Sequence, residues 1–263
     1  MLKDKVIVIT GGTKGIGKEL VSLFEEKNTV VNLARSCEGK ENEIVCDVTS
    51  EEQVKNAFEV IKEKYGKIDV IVNNAGYGLS GAVEMLSTDK VEEQFAVNFL
   101  GVQRCLRYAL PLMKKGGKVV NISSVCAIFP LPFRGMYCAS KSALNSLTFA
   151  LREEVRPYGI SVTAVCPGDT KTSFSANRVK VFDAGERYGE RIRKADEHIA
   201  KREDKRMSPQ KVGKRIAKII CKKKYKPFYI VGAKYKFLYA LYRLFPFSAI
   251  LKCTGSMFNK GDK

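Results

Sequence analysis

Ser124, Tyr137 and Lys141 carry side chains suited to moving one proton to or from an oxygen. Tyr137 opens a run with apolar residues at Ala139, Ala143, Leu147 and Leu151, a spacing that predicts a helix. Lys141 then falls on the same face as Tyr137, one turn along. A phenol with a reference pKa of about 10 is a poor acid–base group at neutral pH. An ammonium one turn away stabilises the phenolate and draws its pKa toward the working range. Ser124 follows the apolar run 119–122, which reads as a central strand. At the carboxyl end of that strand it faces the crevice where α/β sheets bind ligands, and it can hydrogen-bond the same carbonyl oxygen. Taken singly, Tyr-x-x-x-Lys is a commonplace helix pair, and the chemistry depends on what accompanies it.

The companion is a glycine loop. Thr10-Gly11-Gly12-Thr13-Lys14-Gly15-Ile16-Gly17 follows the apolar run Val6–Thr10 and opens an amphipathic helix marked by Ile16, Leu20, Leu23 and Phe24. Glycines there let the backbone approach a pyrophosphate, whose charge meets amide groups at the helix N-terminus. The spacing is G-x-x-x-G-x-G, not the G-x-G-x-x-G of many dinucleotide sites. A phosphate-loop pattern nearly matches from Gly12 to Lys18, but Glu19 stands at the Ser/Thr position. It offers Mg²⁺ no hydroxyl and repels a triphosphate, which disfavours phosphoryl transfer. The next run, 30–33, leads into Ala34-Arg35-Ser36 with no acid to hold a ribose 2′-hydroxyl. Arg35, aided by Lys14, can pair with a 2′-phosphate, so the expected cofactor is NADP rather than NAD.

Positioning these groups requires an alternation of strands and helices. Val6–Thr10, 30–33, 44–46, 70–72, 119–122, 162–166 and Phe228–Val231 read as buried strands. Amphipathic stretches such as Val54, Phe58 and Ile61 lie between them, and Ser208-Pro209 marks a helix start. The pattern predicts an α/β fold: one doubly wound, Rossmann-like parallel sheet with helices on both faces. Residues 1–232 form the dinucleotide-binding and catalytic domain in this reading. The polar stretch 173–207 lacks a strand signal and is expected to be a helical lid. Residues 233–263 are a basic, aromatic C-terminal arm.

Together the motifs say more than each alone. Thr10-Gly11-x-x-x-Gly15-Ile16-Gly17, Asp47, Asn73-Asn74-Ala75-Gly76, Asn98, Ser124, Tyr137-Cys138-Ala139-Ser140-Lys141 and Pro167-Gly168 occur in this order. The chain thus resembles the short-chain dehydrogenase/reductase family from about residue 3 to 232. Leu131-Pro132-Phe133 through Lys141, and Asn74 to Leu79, look most like the 17β-hydroxysteroid and retinol dehydrogenase branch. The resemblance implies that Tyr137 is the general acid/base and that Lys141 lowers its pKa and holds the nicotinamide ribose. Ser124 would orient the carbonyl, and Asn98 would anchor a water relay behind Lys141. Asp47 and the Val48 backbone would meet the adenine, while Asn74, Ala75 and Gly76 would line its ribose. Pro167 and Gly168 would shape the nicotinamide pocket, with Thr172 on the carboxamide. Thr170, in the same segment, stands where the family usually has an aliphatic residue. Gly11, Thr13, Lys14, Gly15, Ile16, Gly17, Arg35 and Ser36 complete the cofactor set. The implied reaction interconverts a secondary alcohol and a ketone, and no metal is needed.

Composition narrows the setting. Of a net charge of +18, residues 201–263 hold +15, as eighteen Lys/Arg against Glu203, Asp204 and Asp262. Such a tail attracts anionic lipid, nucleic acid or an acidic partner, unless it is simply a solvated lysine surface. The aromatics cluster in an apolar run rather than on a stacking sheet, so nucleic acid is not expected. Tyr235 to Leu251 mixes aromatic and basic residues, which suits peripheral membrane association. An arm over the active site and a contact in a homo-oligomer are equally open. The stretch 237–251 holds Arg243 and Pro246 and is too short to span a bilayer. Eight cysteines without a CxxC pair, and no secretory signal within residues 1–5, predict reduced thiols in the cytoplasm. A single histidine, His198, leaves little scope for a metal site or a His-based triad. The apolar run 127–133 and Phe174 suggest a pocket wall for a hydrophobic steroid, retinoid or acyl-type substrate. A non-catalytic NADP-binding module docking through the basic tail is the rival reading. The complete Ser124, Tyr137 and Lys141 set speaks against it.

Overall fold

The structure is a computed structural model that describes residues 2–172, 174, 178–182, 185–188, 190–200 and 206–256. Its centre is a parallel sheet of seven strands in the order β3-β2-β1-β4-β6-β7-β9. The strands are β1 (Val6–Thr10), β2 (Thr29–Ala34), β3 (Glu43–Val45), β4 (Ile68–Asn73), β6 (Met113–Ile122), β7 (Ser161–Pro167) and β9 (Phe228–Val231). All five residues of β1 are buried, as expected of a strand with helices over both faces. Along it the side chains alternate: Val8 joins one hydrophobic core, Ile7 and Ile9 the other.

The first core is closed by α2 (Glu51–Tyr65), α4 (Gly101–Ala109) and α5 (Gly135–Glu154), through Phe58, Ile61, Leu106 and Leu144. The second is closed by α1 (Gly15–Phe24) and the helix Pro209–Ile220, through Leu20, Phe24, Val212 and Ile216. Ser50 caps α2 by accepting from the Gln53 amide at 3.3 Å, and Gly66 ends it in a left-handed turn at φ 68°. Ser208 caps the helix Pro209–Ile220 in the same way, accepting from the Lys211 amide at 3.2 Å. Helix α3 (Thr88–Phe95) runs into a π-helical turn, Ala96–Leu100, before α4.

The chain winds from β1 out to β3, then returns to β4 beside β1 and proceeds outward the other way. The crevice above the carboxyl ends of β1 and β4 is therefore the switch point where such sheets hold ligands. The strands of this sheet match the apolar runs within a few residues at each end, except that β6 begins at Met113, six residues before the run 119–122. One strand pair was not foreseen. The two-residue strands β5 (Leu79–Ser80) and β8 (Val179–Lys180) pair in parallel, and β8 lies inside the stretch 173–207 expected to lack strands. They exist because the loop after β4 offers backbone partners: the Val179 amide donates to the Gly78 carbonyl at 2.9 Å. The remainder of 173–207 holds the helices Gly185–Tyr188 and Arg191–Ala200. Positions 173, 175–177, 183–184, 189 and 201–205 of the expected lid lie outside the described residues.

Candidate active site

The glycine loop is tied to the loop after β4. The Thr10 hydroxyl accepts from the amides of Asn74 and Ala75 at 2.9 and 3.0 Å. The Asn74 side chain donates to the carbonyls of Thr10 and Gly11 at 3.0 and 3.1 Å. Gly11 and Gly15 take φ of 68° and 56°, a region that favours glycine. Gly12 is fixed by Asn32, whose Oδ1 accepts from its amide at 2.8 Å. Asn32 was not singled out from the sequence; a lone amide inside an apolar strand was its signal. Lys14 precedes α1 without a side-chain cap, which leaves the helix N-terminus open to an anion. These features fit the phosphates of a dinucleotide.

From that loop a cavity of about 1380 Å³ runs to Ser124, Tyr137 and Lys141. Pockets for small ligands span roughly 300–1,000 Å³, so this one has room for a dinucleotide with a substrate. Gly11, Thr13, Lys14, Gly15, Ile16, Arg35, Ser36, Asp47, Val48, Asn74, Ala75 and Gly76 line it, as do Pro167, Gly168, Thr170 and Thr172. Two expected site residues do not. Gly17 lies beneath the loop, where a Cβ would come within 2.3 Å of the Gly11 carbonyl oxygen, so its role is close packing. Asn98 is fully buried in the π-helical turn, behind the wall. Its Oδ1 accepts from the Tyr77 amide at 3.0 Å, and its Nδ2 donates to the Tyr77 carbonyl and the Ser140 hydroxyl at 3.0 and 3.1 Å. The carboxamide thereby fixes the loop that carries Gly76. A Cβ on Gly76 would lie 2.9 Å from Asn98 Oδ1 and 3.4 Å from Lys141 Nζ.

Arg35 and Ser36 are exposed at the end of β2, beside the cavity. Asp47 accepts from the Thr49 amide and hydroxyl through one carboxylate oxygen, at 2.9 and 2.8 Å, which fixes the direction of the other. The Thr170 hydroxyl turns back onto the Gly168 carbonyl at 2.9 Å, closing its own turn.

Ser124 lies two residues beyond the end of β6, and its hydroxyl accepts from the Cys126 amide at 3.1 Å. Lys141 is 4% exposed, and its Nζ donates to the Ile122 carbonyl at 2.9 Å. Burial pulls its pKa down to about 8, with the Cys166 thiol opposing. Tyr137 departs from the expectation of a depressed phenol. Burial, reinforced by Cys126, pushes its pKa well up, and Ser124 and Arg134 pull it part of the way back. The interaction between the neighbouring Cys126 and Cys138 thiols lowers the first and raises the second.

The expected apolar wall at 127–133 is divided: Leu131 packs with Phe174 against Tyr137, while Ile128, Phe129 and Phe133 turn elsewhere. The Phe129 ring meets Tyr242 edge-on at 5.6 Å, and Ile128 packs in the same cluster under the C-terminal helix. Around Tyr137 the cavity is lined instead by Val125, Cys126, Arg134, Phe174 and Arg178. Of these, only Phe174 figured in the sequence reading.

Residues 5–181 match the short chain dehydrogenase family. A 3-ketodihydrosphingosine reductase of Bacteroides thetaiotaomicron is 35% identical over 230 residues, 84% of this chain and 86% of that protein. A 3beta-hydroxysteroid dehydrogenase of Mediterraneibacter gnavus is 37% identical over 185 residues, 64% of this chain and 67% of that protein. A solved short-chain dehydrogenase from Streptomyces avermitilis superposes with a TM-score of 0.82 at 27% identity, over 93% of this chain and 94% of its own. The glycine cradle, the shared cavity and a match over this span agree: the chain belongs to the short-chain dehydrogenase/reductase family, oxidoreductases that act on CH–OH and C=O groups with a nicotinamide cofactor.

Proposed function

We propose that the chain interconverts a hydrophobic secondary alcohol and its ketone with NADP(H), Tyr137 acting as general acid/base. The carrying observation is that one cavity joins the glycine loop to Ser124, Tyr137 and Lys141. When bound, the nicotinamide supplies or takes up the hydride. Tyr137 gives its phenolic proton to the carbonyl oxygen in reduction and takes it from the hydroxyl in oxidation. Ser124 holds the same oxygen, and Lys141, held on the Ile122 carbonyl and close to Gly76, supplies the cation of the site. Asn98 keeps Gly76 in register with that cation. Arg35 and Lys14 supply positive charge for a 2′-phosphate, with no carboxylate at the end of β2 to oppose it. The names of the relatives, a ketosphingoid reductase and a hydroxysteroid dehydrogenase, support a ketone on an apolar frame.

The test follows NADPH consumption by absorbance over a panel of steroid, long-chain and acyl ketones. Tyr137→Phe is expected to lower turnover about a hundred- to ten-thousand-fold. NADPH binding, read by fluorescence, should persist in that variant. Turnover that survives the substitution overturns the mechanism, and a preference for NADH overturns the cofactor assignment.

A further inference from the structure

Beside Tyr137 the cavity carries positive charge that the reaction above does not use. Arg134 lines it at 7% exposure, and its Nη2 has no hydrogen-bond partner among the described residues. Arg134 is also the residue at the start of α5, a twenty-residue helix with no side-chain cap. A cation there has the wrong sign for the helix dipole, whereas an anion would suit both. The preceding residue, Phe133, takes φ 60°, a conformation that bulky side chains rarely adopt. It is held by the Gly81 amide, which donates to its carbonyl at 2.9 Å, and by the edge of the Tyr188 ring at 6.0 Å. The direction of Arg134 is thus imposed by its surroundings.

Arg178 brings a second guanidinium to the same wall, with its side chain 8% exposed. It lies across Gly78, where a Cβ would sit 3.2 Å from Arg178 Nε and 3.3 Å from the Phe174 ring. That ring is 5.7 Å from the ring of Tyr137, which puts Arg178 one aromatic width from the phenol. The ladder between β5 and β8 fixes the backbone beside it. The nearby acids are engaged elsewhere or shared. Asp196 stands 3.6 Å from Arg178 but 2.7 Å from Lys180, and Asp169 accepts from the Tyr235 hydroxyl. Burial, followed by the repulsion of Arg134, lowers Arg178 to about 10, so the two guanidinium groups feel each other.

Resting on the function proposed above, we infer that Arg134 and Arg178 bind an oxyanion carried by the substrate, a carboxylate or phosphate a few bonds from the reacting carbonyl. Two guanidinium groups can grip both oxygens of such a group in parallel hydrogen bonds. Phe174 and Val125 then take part of the apolar remainder. The substrate is amphiphilic.

The probes are 4-oxodecanoate and its uncharged methyl ester, tested on the full-length protein with NADPH. The acid is expected to exceed the ester in kcat/KM by about tenfold or more. Arg134→Gln and Arg178→Gln should bring that ratio toward one, while Arg134→Lys, which keeps the charge but not the planar fork, retains only part of it. A ratio that stays unchanged in both glutamine variants, with both substrates losing alike, shows a merely structural role and overturns the proposal. An ester that matches the acid in the parent protein overturns it as well. Calorimetric binding of 4-oxodecanoate to the NADPH-bound protein separates this inference from the function it rests on. If neither probe turns over, weaker binding in Arg134→Gln still supports the anion site, and equal binding defeats it. A loss of NADPH affinity in Arg134→Gln with the acid-to-ester ratio intact assigns the guanidinium to the cofactor and also defeats it.

Discussion

Burial governs protonation at the residues proposed above to do the chemistry. Tyr137 is held above the ordinary phenol range, so it keeps its proton across neutral pH, which is the donor form needed for ketone reduction. Lys141 is displaced the other way, to about 8, from a reference near 10.4. Between those two values the unfolded chain binds a proton that the folded chain has released. Stability from this group therefore rises with pH through that window, and the full penalty of burying the ammonium is present below it. Lys141→Met removes the titration while filling similar space. The orphaned Ile122 carbonyl costs the same at every pH, so it cancels from the slope. Chemical denaturation at pH 7 and pH 10.5 should show the stability gap moving in favour of the wild type by about 1–3 kcal/mol. A gap that stays constant refutes a depressed Lys141. Tyr137, Lys141 and Ser124 were legible because helix periodicity and a strand end fix them locally. Arg134 and Arg178 were not, because only β5–β8 pairing and the Phe133 turn bring them to one wall. The depressed phenol expected from helix spacing fails for a related reason: spacing shows which charge is near, but not how much water is lost.

Elements place these residues through close contacts at glycine. The Gly168 amide donates to the Val231 carbonyl at 3.0 Å, joining the end of β7 to β9. A Cβ on Gly168 would meet the Tyr235 ring at 2.1 Å, well inside the 3.5–4.0 Å of ordinary carbon contacts. Tyr235 belongs to the helix Ala233–Tyr242, so the wall near the reacting centre and the C-terminal arm are packed as one unit. Gly168→Ala is expected to lift this helix. Limited proteolysis should then reveal new cleavage at Lys234 and Lys236, and adding Tyr235→Ala should restore protection by making room. Protection that is unchanged in Gly168→Ala alone refutes the coupling. The same helix explains why Ile128 and Phe129 of the run 127–133 do not join Leu131 at the pocket wall. Phe129 and Ile128 find their apolar partners in Tyr242 and its neighbours, more than a hundred residues away, and composition alone does not reveal which apolar surface a loop will meet. β1, β2, β4 and β7 were legible because burial along nearly their whole length leaves apolar runs. β5 and β8 have two residues each and exist only through pairing.

Over the whole molecule, the arm presents two faces with different partners. Tyr235, Leu238, Tyr239 and Tyr242 pack against the body, while Phe237 is 65% exposed on the other side. Leu244 and Phe245 follow at 78% and 57%, among exposed Lys234, Lys236, Arg243 and Lys252. No helix among the described residues is long and apolar enough to cross a membrane. An apolar ridge framed by cations suits the surface of an anionic bilayer, where each Lys or Arg contributes roughly 1 kcal/mol. Four such cations correspond to about three orders of magnitude in partitioning, before any apolar insertion. We therefore expect the full-length protein to co-sediment with vesicles containing phosphatidylserine and to leave them as salt shortens the Debye length. Substituting Phe237, Leu244 and Phe245 together by Asp should abolish this, and their exposure predicts that the fold survives, which circular dichroism can check. If the triple variant binds as well as the parent, the ridge is not the docking surface. If the parent binds phosphatidylcholine vesicles equally well, the cations are not what selects the membrane. Both results together would return the basic arm to an ordinary solvated surface, whereas loss of binding in the variant would place the cavity mouth near a source of amphiphilic ketones.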